Sequence, residues 1–359
     1  MVWKAAWIAA ITVSSLMLPA AGGQTAERDV PFTGQFSLAG DYPLGAAVNR
    51  TDYESIDAAA RRLYISKMGG GQLLVFDLER NKLIATLDNF PKVTGTLAVP
   101  ELHKVYASVP GGGLMRSISV GLGMAGLSSG KGQVAVLDSQ TLKERARLPG
   151  GVFPDGIAYD AKDGAVFVSD ELGSALTVLD AERDKFIARI DMDGEVGNVR
   201  YDAANGRIYV PVQSNNELIA VDPETRAVMA RYPLNGCDHP HGFIIAPGNA
   251  VGYAACDGNN RLLAIDLENG RVLRTLPVAD DPDVMFIDPA LNRLYVATEP
   301  GNLSIFDITS PGAPVSLGAV FVADGAHTVA VDPISHRLYF ALANLGGKAT
   351  LRVLTPKRD

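Results

Sequence analysis

One unit of sequence recurs along almost the whole chain, and a chain made of units too small to bury their own apolar faces must stack them. Complete copies read IDAAARRLYISKMGGGQLLVFDLERNKLIATL (56–87), YDAKDGAVFVSDELGSALTVLDAERDKFIARI (159–190), YDAANGRIYVPVQSNNELIAVDPETRAVMARY (201–232), IAPGNAVGYAACDGNNRLLAIDLENGRVLRTL (245–276) and IDPALNRLYVATEPGNLSIFDITSPGAPVSLG (287–318). Most copies open with an apolar strand and a turn beginning Asp-Pro or Asp-Ala. An Arg-Leu-Tyr-Val-like strand, a polar loop, a Leu-x-Val-x-Asp strand and a final alternating strand follow. Four short strands at a period of roughly 42–44 residues are the signature of a propeller blade.

Two atypical units complete the set. Residues 99–148 are a copy expanded by a Gly-rich insertion, and 331–356 are a copy that stops after its third strand. Residues 35–44, QFSLAGDYPL, have the alternation of an outer strand and precede the first full unit, so they supply the missing one. The sequence therefore predicts an all-β, seven-bladed β-propeller, its ring closed by the N-terminal strand completing the last blade. Closure removes the edge an open array would expose. Alternating Val, Ile, Leu and Tyr suit strands packed between neighbouring sheets, and Asn-Gly and Asp-Gly pairs suit the tight turns. A two-sheet sandwich does not account for one period repeated across the chain.

Segments such as RLYVATEPGNLSIFD and RIYVPVQSNNELIAVD resemble the repeat of the YncE/YVTN-type β-propellers over about residues 51–356. Tyr295-Val296-Ala297-Thr298 and Tyr209-Val210-Pro211-Val212 keep the first two letters of that family's Tyr-Val-Thr-Asn. The resemblance implies a binding or interaction propeller. The same architecture carries lactonases and lyases, so function must be read from a site rather than from the fold.

The first residues read as an address. Met1 to Lys4 form a short positive start, and Ala5 to Ala21 form an apolar run broken only by Thr12, Ser14, Ser15 and Pro19 before small residues suited to signal peptidase. That run is shorter than the ~20 apolar residues a membrane span needs, which disfavours an anchor. The expected organisation is a signal peptide over 1–22, a tether over 23–34 and one propeller domain over 35–359, in a periplasmic or secreted protein with no membrane span after cleavage. With 40 acidic against 32 basic residues, the chain lacks the basic face that nucleic acid demands.

Blades that run outward from an innermost strand bring the start of that strand to one face. Five positions before each Asp-Pro or Asp-Ala turn, the repeats read Asp52, Gly95, Asp155, Gly197, His241, Asp283 and His327. Of five histidines in the chain, three (His239, His241 and His327) fall at this mouth, with Asp238, Asp280 and Asp281 in adjoining links. His103 and His336 fall in turns at the opposite face, where solvated residues are expected. Imidazoles and carboxylates around a narrow opening can hold a divalent cation or act as acid and base. The expected metal ligands are His241, His327, Asp155 and Asp283, with calcium, magnesium and zinc all open; His241 and His327 are the candidate catalytic residues. Aspartate at a loop-to-strand junction also has an ordinary structural use, accepting backbone N–H groups.

The insertion at 110–131 is expected to form a flap over the channel, with Arg116 and Lys131 available to an anionic ligand. Its Gly121-Leu-Gly123-Met-Ala-Gly126 matches a dinucleotide fingerprint in letters only, since a β blade rather than a helix follows, and no nucleotide cofactor is expected. Cys237 precedes the first strand of the fifth blade and Cys256 ends its second, so the sulfurs can meet in a disulfide; a pair of buried or metal-binding thiols is the alternative. Two function classes follow. One is a monomeric binding propeller for a small molecule, a protein partner or a metal, with Asp52, Asp155, His239, His241, Asp283 and His327 facing the ligand. The other is a metal-assisted, lactonase-like hydrolase or lyase using the same mouth.

Overall fold

Each repeat folds into a four-stranded antiparallel sheet whose strands lie side by side in chain order, and seven such sheets close a ring. The structure, a computed structural model, describes residues 31–111 and 132–357. In blade one the strands are Glu54–Asp57, Arg62–Lys67, Gln72–Asp77 and Lys82–Leu87. The two middle strands are buried at nearly every position, while the outermost alternates between exposed and half-buried residues. Neighbouring blades cover both faces of a middle strand but leave the rim open to water, so near-continuous apolar runs give way outward to alternation. The core is accordingly a set of apolar layers between adjacent blades, such as Leu74 and Phe76 of blade one against Tyr339 and Leu351 of blade seven.

Repeat letters that look decorative in the sequence have specific tasks. The Asp that opens the first turn accepts N–H groups of that turn: Asp57 from Ala60, Asp160 from Lys162 and Asp163, Asp288 from Ala290 and Leu291. The Asp that ends the third strand does the same in the next turn, as Asp77, Asp138 and Asp180 show. Much of the chain's acidity is therefore turn chemistry. The repeated Tyr is fully buried and reaches the following blade. The Tyr209 hydroxyl donates to the Leu267 carbonyl at 3.0 Å and that of Tyr253 to Pro311 at 2.8 Å, with longer equivalents from Tyr64 to Ser139 and from Tyr106 to Ala181. Phe167 fills this position in blade three without a hydroxyl.

The ring closes as the sequence predicts. Phe36–Ala46 pairs antiparallel with Lys348–Pro356, from Phe36 opposite Pro356 to Ala46 opposite Lys348, and forms the outer strand of blade seven. Arg352 pairs with Asp41 within this sheet, and Arg61 of blade one donates two 2.7 Å bonds to Asp332 of blade seven. The opposite-face histidines differ from each other. His103 is exposed, but His336 is half-buried and its Nδ1 lies 2.8 Å from the fully buried Asp288 carboxylate, so it is a structural contact between blades seven and six rather than a solvated residue. Among the described residues no helix is long and apolar enough to cross a membrane. The leader and most of the 110–131 insertion, including Arg116 and Lys131, lie outside the described residues.

Cys237 and Cys256 form a disulfide with Cα atoms 5.4 Å apart, the alternative of free thiols being excluded. Such a bond suits an oxidising compartment. It spans a sequence separation of 19 and staples the link before the innermost strand of blade five to that blade's second strand. Chain-entropy reasoning for a loop of this size gives a stabilisation of about 3 kcal/mol. Guanidinium unfolding with and without reductant is expected to show a loss of that order.

Candidate functional site

The seven innermost strands enter the ring at one face, and their first residues crowd the axis. Gly95 and Gly197 are glycines for a steric reason: a Cβ at either would run into the carbonyl of the neighbouring entry residue, Asp155 or His241. That close approach lets the Asn198 N–H donate to the His241 carbonyl at 3.1 Å, and on the other side of the ring Val284 N–H reaches the His327 carbonyl at 3.4 Å. Side chains at the remaining five positions, Asp52, Asp155, His241, Asp283 and His327, converge inside a ring that backbone bonds hold together.

Asp283 is the centre of charge. Its Oδ2 lies 2.7 Å from His327 Nδ1 and its Oδ1 3.4 Å from His241 Nε2, so one carboxylate is shared by two imidazoles. The other nitrogen of each ring also faces an acceptor. His327 Nε2 is 3.1 Å from the Thr51 carbonyl, and His241 Nδ1 is 3.1 Å from the Gln213 amide oxygen, whose orientation follows from the Gln213 Nε2 donating to the Val196 carbonyl at 3.0 Å. With acceptors on both nitrogens, both rings are donors throughout and carry a proton more than neutral imidazole. Burial works against that charge. The Asp283 carboxylate outweighs it, lifting His241 to about 10 and raising His327. Conversely, burial alone raises Asp283, yet the two imidazoles hold it well below the usual carboxylate range.

Arg50 and Glu299 form the rim of this cluster. The Arg50 guanidinium donates to both Glu299 oxygens at 2.8 and 3.2 Å, and stands 3.8 Å from Asp283 and 3.9 Å from Asp52. Three further carboxyls, Asp52, Asp155 and Glu171, face the same cavity of about 560 Å³, which Lys92 also lines. Burial and then the neighbouring Asp155 push Asp52 up to about 8 and Glu171 up to about 7, and burial raises Asp155 too. The Tyr53 hydroxyl lies 3.3 Å from Asp155 and makes a short bond to the Asn198 side-chain oxygen.

The mouth therefore gathers five of the residues expected from the sequence and leaves others out. His239 does not line the cavity; it sits at the rim with Nδ1 2.7 Å from Asp257 and Nε2 3.9 Å from Glu195, and the Asp257 carboxylate lifts it to about 10. The group that the geometry offers for a metal shares only His327 and Asp283 with the expected set of His241, His327, Asp155 and Asp283. Among the described residues the group whose ligand atoms lie within 4.8 Å of one another is Asp283, Glu299 and His327, which Asp155 and His241 do not join. Arg50 already supplies a cation to that triad, and its Nη2 lies 3.5 Å from His327 Nδ1. A metal ion would have to displace the guanidinium.

Sequence reasoning missed Arg50, Tyr53, Glu171, Gln213 and Glu299. A signal for three of them was present. Residues that directly follow the second strand of successive blades include Glu171, Gln213, Asp257 and Glu299, a second polar ring above the first. No family model matches this chain, and no curated protein matches it in sequence. Solved structures do resemble it. One is a chain of the crystal structure of the mitotic checkpoint complex, with a TM-score of 0.72 at 10% identity over 97% of this chain and 99% of that chain. Another belongs to the Kuenenia stuttgartiensis hydrazine synthase, with a TM-score of 0.68 at 15% identity over 94% of this chain and 99% of that chain. At such identities the likeness shows the propeller fold alone.

The site makes stability depend on pH in one direction. Asp52 and Glu171 bind their protons more tightly folded than unfolded, so the stability they contribute is full below their ordinary pKa values and is lost as pH rises through about 8 and about 7. His241 adds a loss between about 6.5 and about 10. Asp283, whose pKa is depressed, contributes fully above the ordinary carboxylate range and so does not offset this decline. Thermal unfolding is expected to give a midpoint that is highest near pH 5 and falls steadily to pH 9, and Asp52→Asn is expected to flatten the part of the slope below pH 8.

Proposed function

We propose that this protein is an exported binding propeller that takes up a small cationic ligand at its axial mouth. The observation that carries the reading is the trio of buried Asp52 and Asp155 and half-buried Glu171 around one cavity of about 560 Å³, where desolvation and then Asp155 push Asp52 up to about 8 and Glu171 up to about 7. A ligand cation among them would relieve both the burial cost and the mutual repulsion. An organic ammonium fits better than a bare divalent ion, because the tight triad of Asp283, Glu299 and His327 already holds Arg50. The resemblance of the repeat to YncE/YVTN-type propellers agrees with a binding role, and the disulfide together with the apolar leader supports a periplasmic or secreted location with the propeller as one domain.

Calorimetric titration of the full chain with putrescine, with calcium and zinc as separate arms, tests this. Putrescine is expected to bind one per chain and to release protons at pH 7, so the measured heat should differ between buffers of different ionisation enthalpy. The double variant Asp52→Asn, Asp155→Asn should weaken binding at least tenfold, or about 1.4 kcal/mol. Absence of binding by every arm, or binding that the double variant leaves unchanged, overturns the reading.

A second reading has its own observation. Asp52 at about 8 and Glu171 at about 7 lie near neutrality, the range in which a carboxyl can give and take protons, beside the His241 and His327 imidazoles. This supports a hydrolase or lyase, metal-assisted if Arg50 moves off the Asp283, Glu299 and His327 triad. Turnover of lactones or esters by wild type that is lost in His241→Ala, His327→Ala, with the fold retained, would favour it over simple binding.

A further inference from the structure

Beyond the mouth, along the innermost strands, lies a second chamber of about 420 Å³ with different chemistry. Tyr53 lines both spaces, so the phenol bonded to Asn198 and near Asp155 is the partition between them. From there the chamber runs down the innermost strands to Pro289 and Pro333, in the turns of the opposite face. Its walls are largely apolar, with Ile56, Leu97, Ile157, Ile244 and Phe286 contributed by five different blades.

Arg200 is out of place in that wall. It belongs to the innermost strand of blade four, and its guanidinium makes a single hydrogen bond, 2.9 Å from Nη1 to the carbonyl of its own neighbour Val199. Among the described residues no carboxylate lies within salt-bridge distance of it. The other acidic groups of the chamber do not serve it. Asp288 is committed to the Ala290 and Leu291 N–H groups and to His336. Glu54 turns both oxygens away from water, among Ala330, Ala341 and Thr328 without a hydrogen bond of normal geometry, and burial raises it well above the usual carboxylate range. Arg200 is half-buried, and desolvation lowers it below the ordinary arginine value despite the opposing pull of Tyr53 and Asp155. A guanidinium presents five donors in a planar fork that matches a carboxylate, and four of the five have no partner here.

We propose that this chamber is a second ligand site, distinct from the mouth, that binds an amphipathic monocarboxylate with its anionic head on Arg200 and its hydrocarbon body against the apolar walls. The volume lies within the range of small-molecule sites, and one charged anchor in an apolar cavity is how such sites fix orientation. The head would lie on the chamber side of Tyr53, and the tail would point toward the opposite face.

Titration of the full chain with octanoate tests the assignment. One octanoate is expected to bind per chain, with octan-1-ol at least tenfold weaker, because only the carboxylate answers the guanidinium. Arg200→Gln should weaken octanoate at least tenfold while leaving octan-1-ol unchanged, and Arg200→Lys should recover part of the loss. Should Arg200→Gln fail to fold, the wild-type comparison decides: octanoate must bind at least tenfold tighter than octan-1-ol, and Arg200→Lys must bind it detectably but more weakly than wild type. Asp52→Asn, a change in the mouth, should leave octanoate affinity unaltered, so failure here and failure of the mouth as a cation site are separate results. Octanoate that does not bind wild type, binds no better than octan-1-ol, or binds Arg200→Gln equally well overturns the proposal.

Discussion

Pairing of the first described strand with the last is the constraint on which the molecule depends. A ring of sheets that each bury both faces against neighbours has no stable end, because an unclosed terminal blade would expose apolar layers and an unpaired edge together. Phe36–Ala46 seals that end by hydrogen bonding to Lys348–Pro356, residues more than three hundred positions away in sequence. The Arg61 pair to Asp332 ties blades one and seven at the same closure. Only a closed ring brings Asp52 of blade one beside His327 of blade seven, so the mouth exists because the termini meet.

Within that ring, electrostatics divides the axis into three regions. Asp283 meets the two imidazoles with one oxygen each, and Arg50 with Glu299 extends this bonded unit outward. Asp52, Asp155 and Glu171 form an acid-rich pocket in which burial and mutual proximity raise all three carboxyls. Arg200, below the Tyr53 partition, has the opposite imbalance. Unlike charges kept apart by a phenol and by the ring geometry leave two unsatisfied polarities on one axis. Such imbalance costs stability, and sites for ligands are where folded chains tolerate that cost.

The repeat made the architecture legible without any structure: period, strand count, turn aspartates and the borrowed outer strand follow from letters that recur, because alternation and turn chemistry are local properties. Five of the mouth residues were legible for the same reason, since equivalent positions in stacked repeats must share a face. What stayed hidden was non-local. Arg50 occupies a link between blades, where no repeat position marks it, and its place beside Asp283 and Glu299 depends on the packing of blades one and six around a common axis. His239 shows the converse, two residues from His241 yet turned to Asp257 at the rim, because its backbone takes the left-handed conformation there. Arg200 and Glu54 read as ordinary strand charges until the ring encloses them. Sequence by itself thus determined the ring, its closure and which face gathers the acids and imidazoles. Tertiary structure alone decided which charges meet a partner and which are left without one, since burial and distance across an axis are set by the closed ring and not by neighbours along the chain.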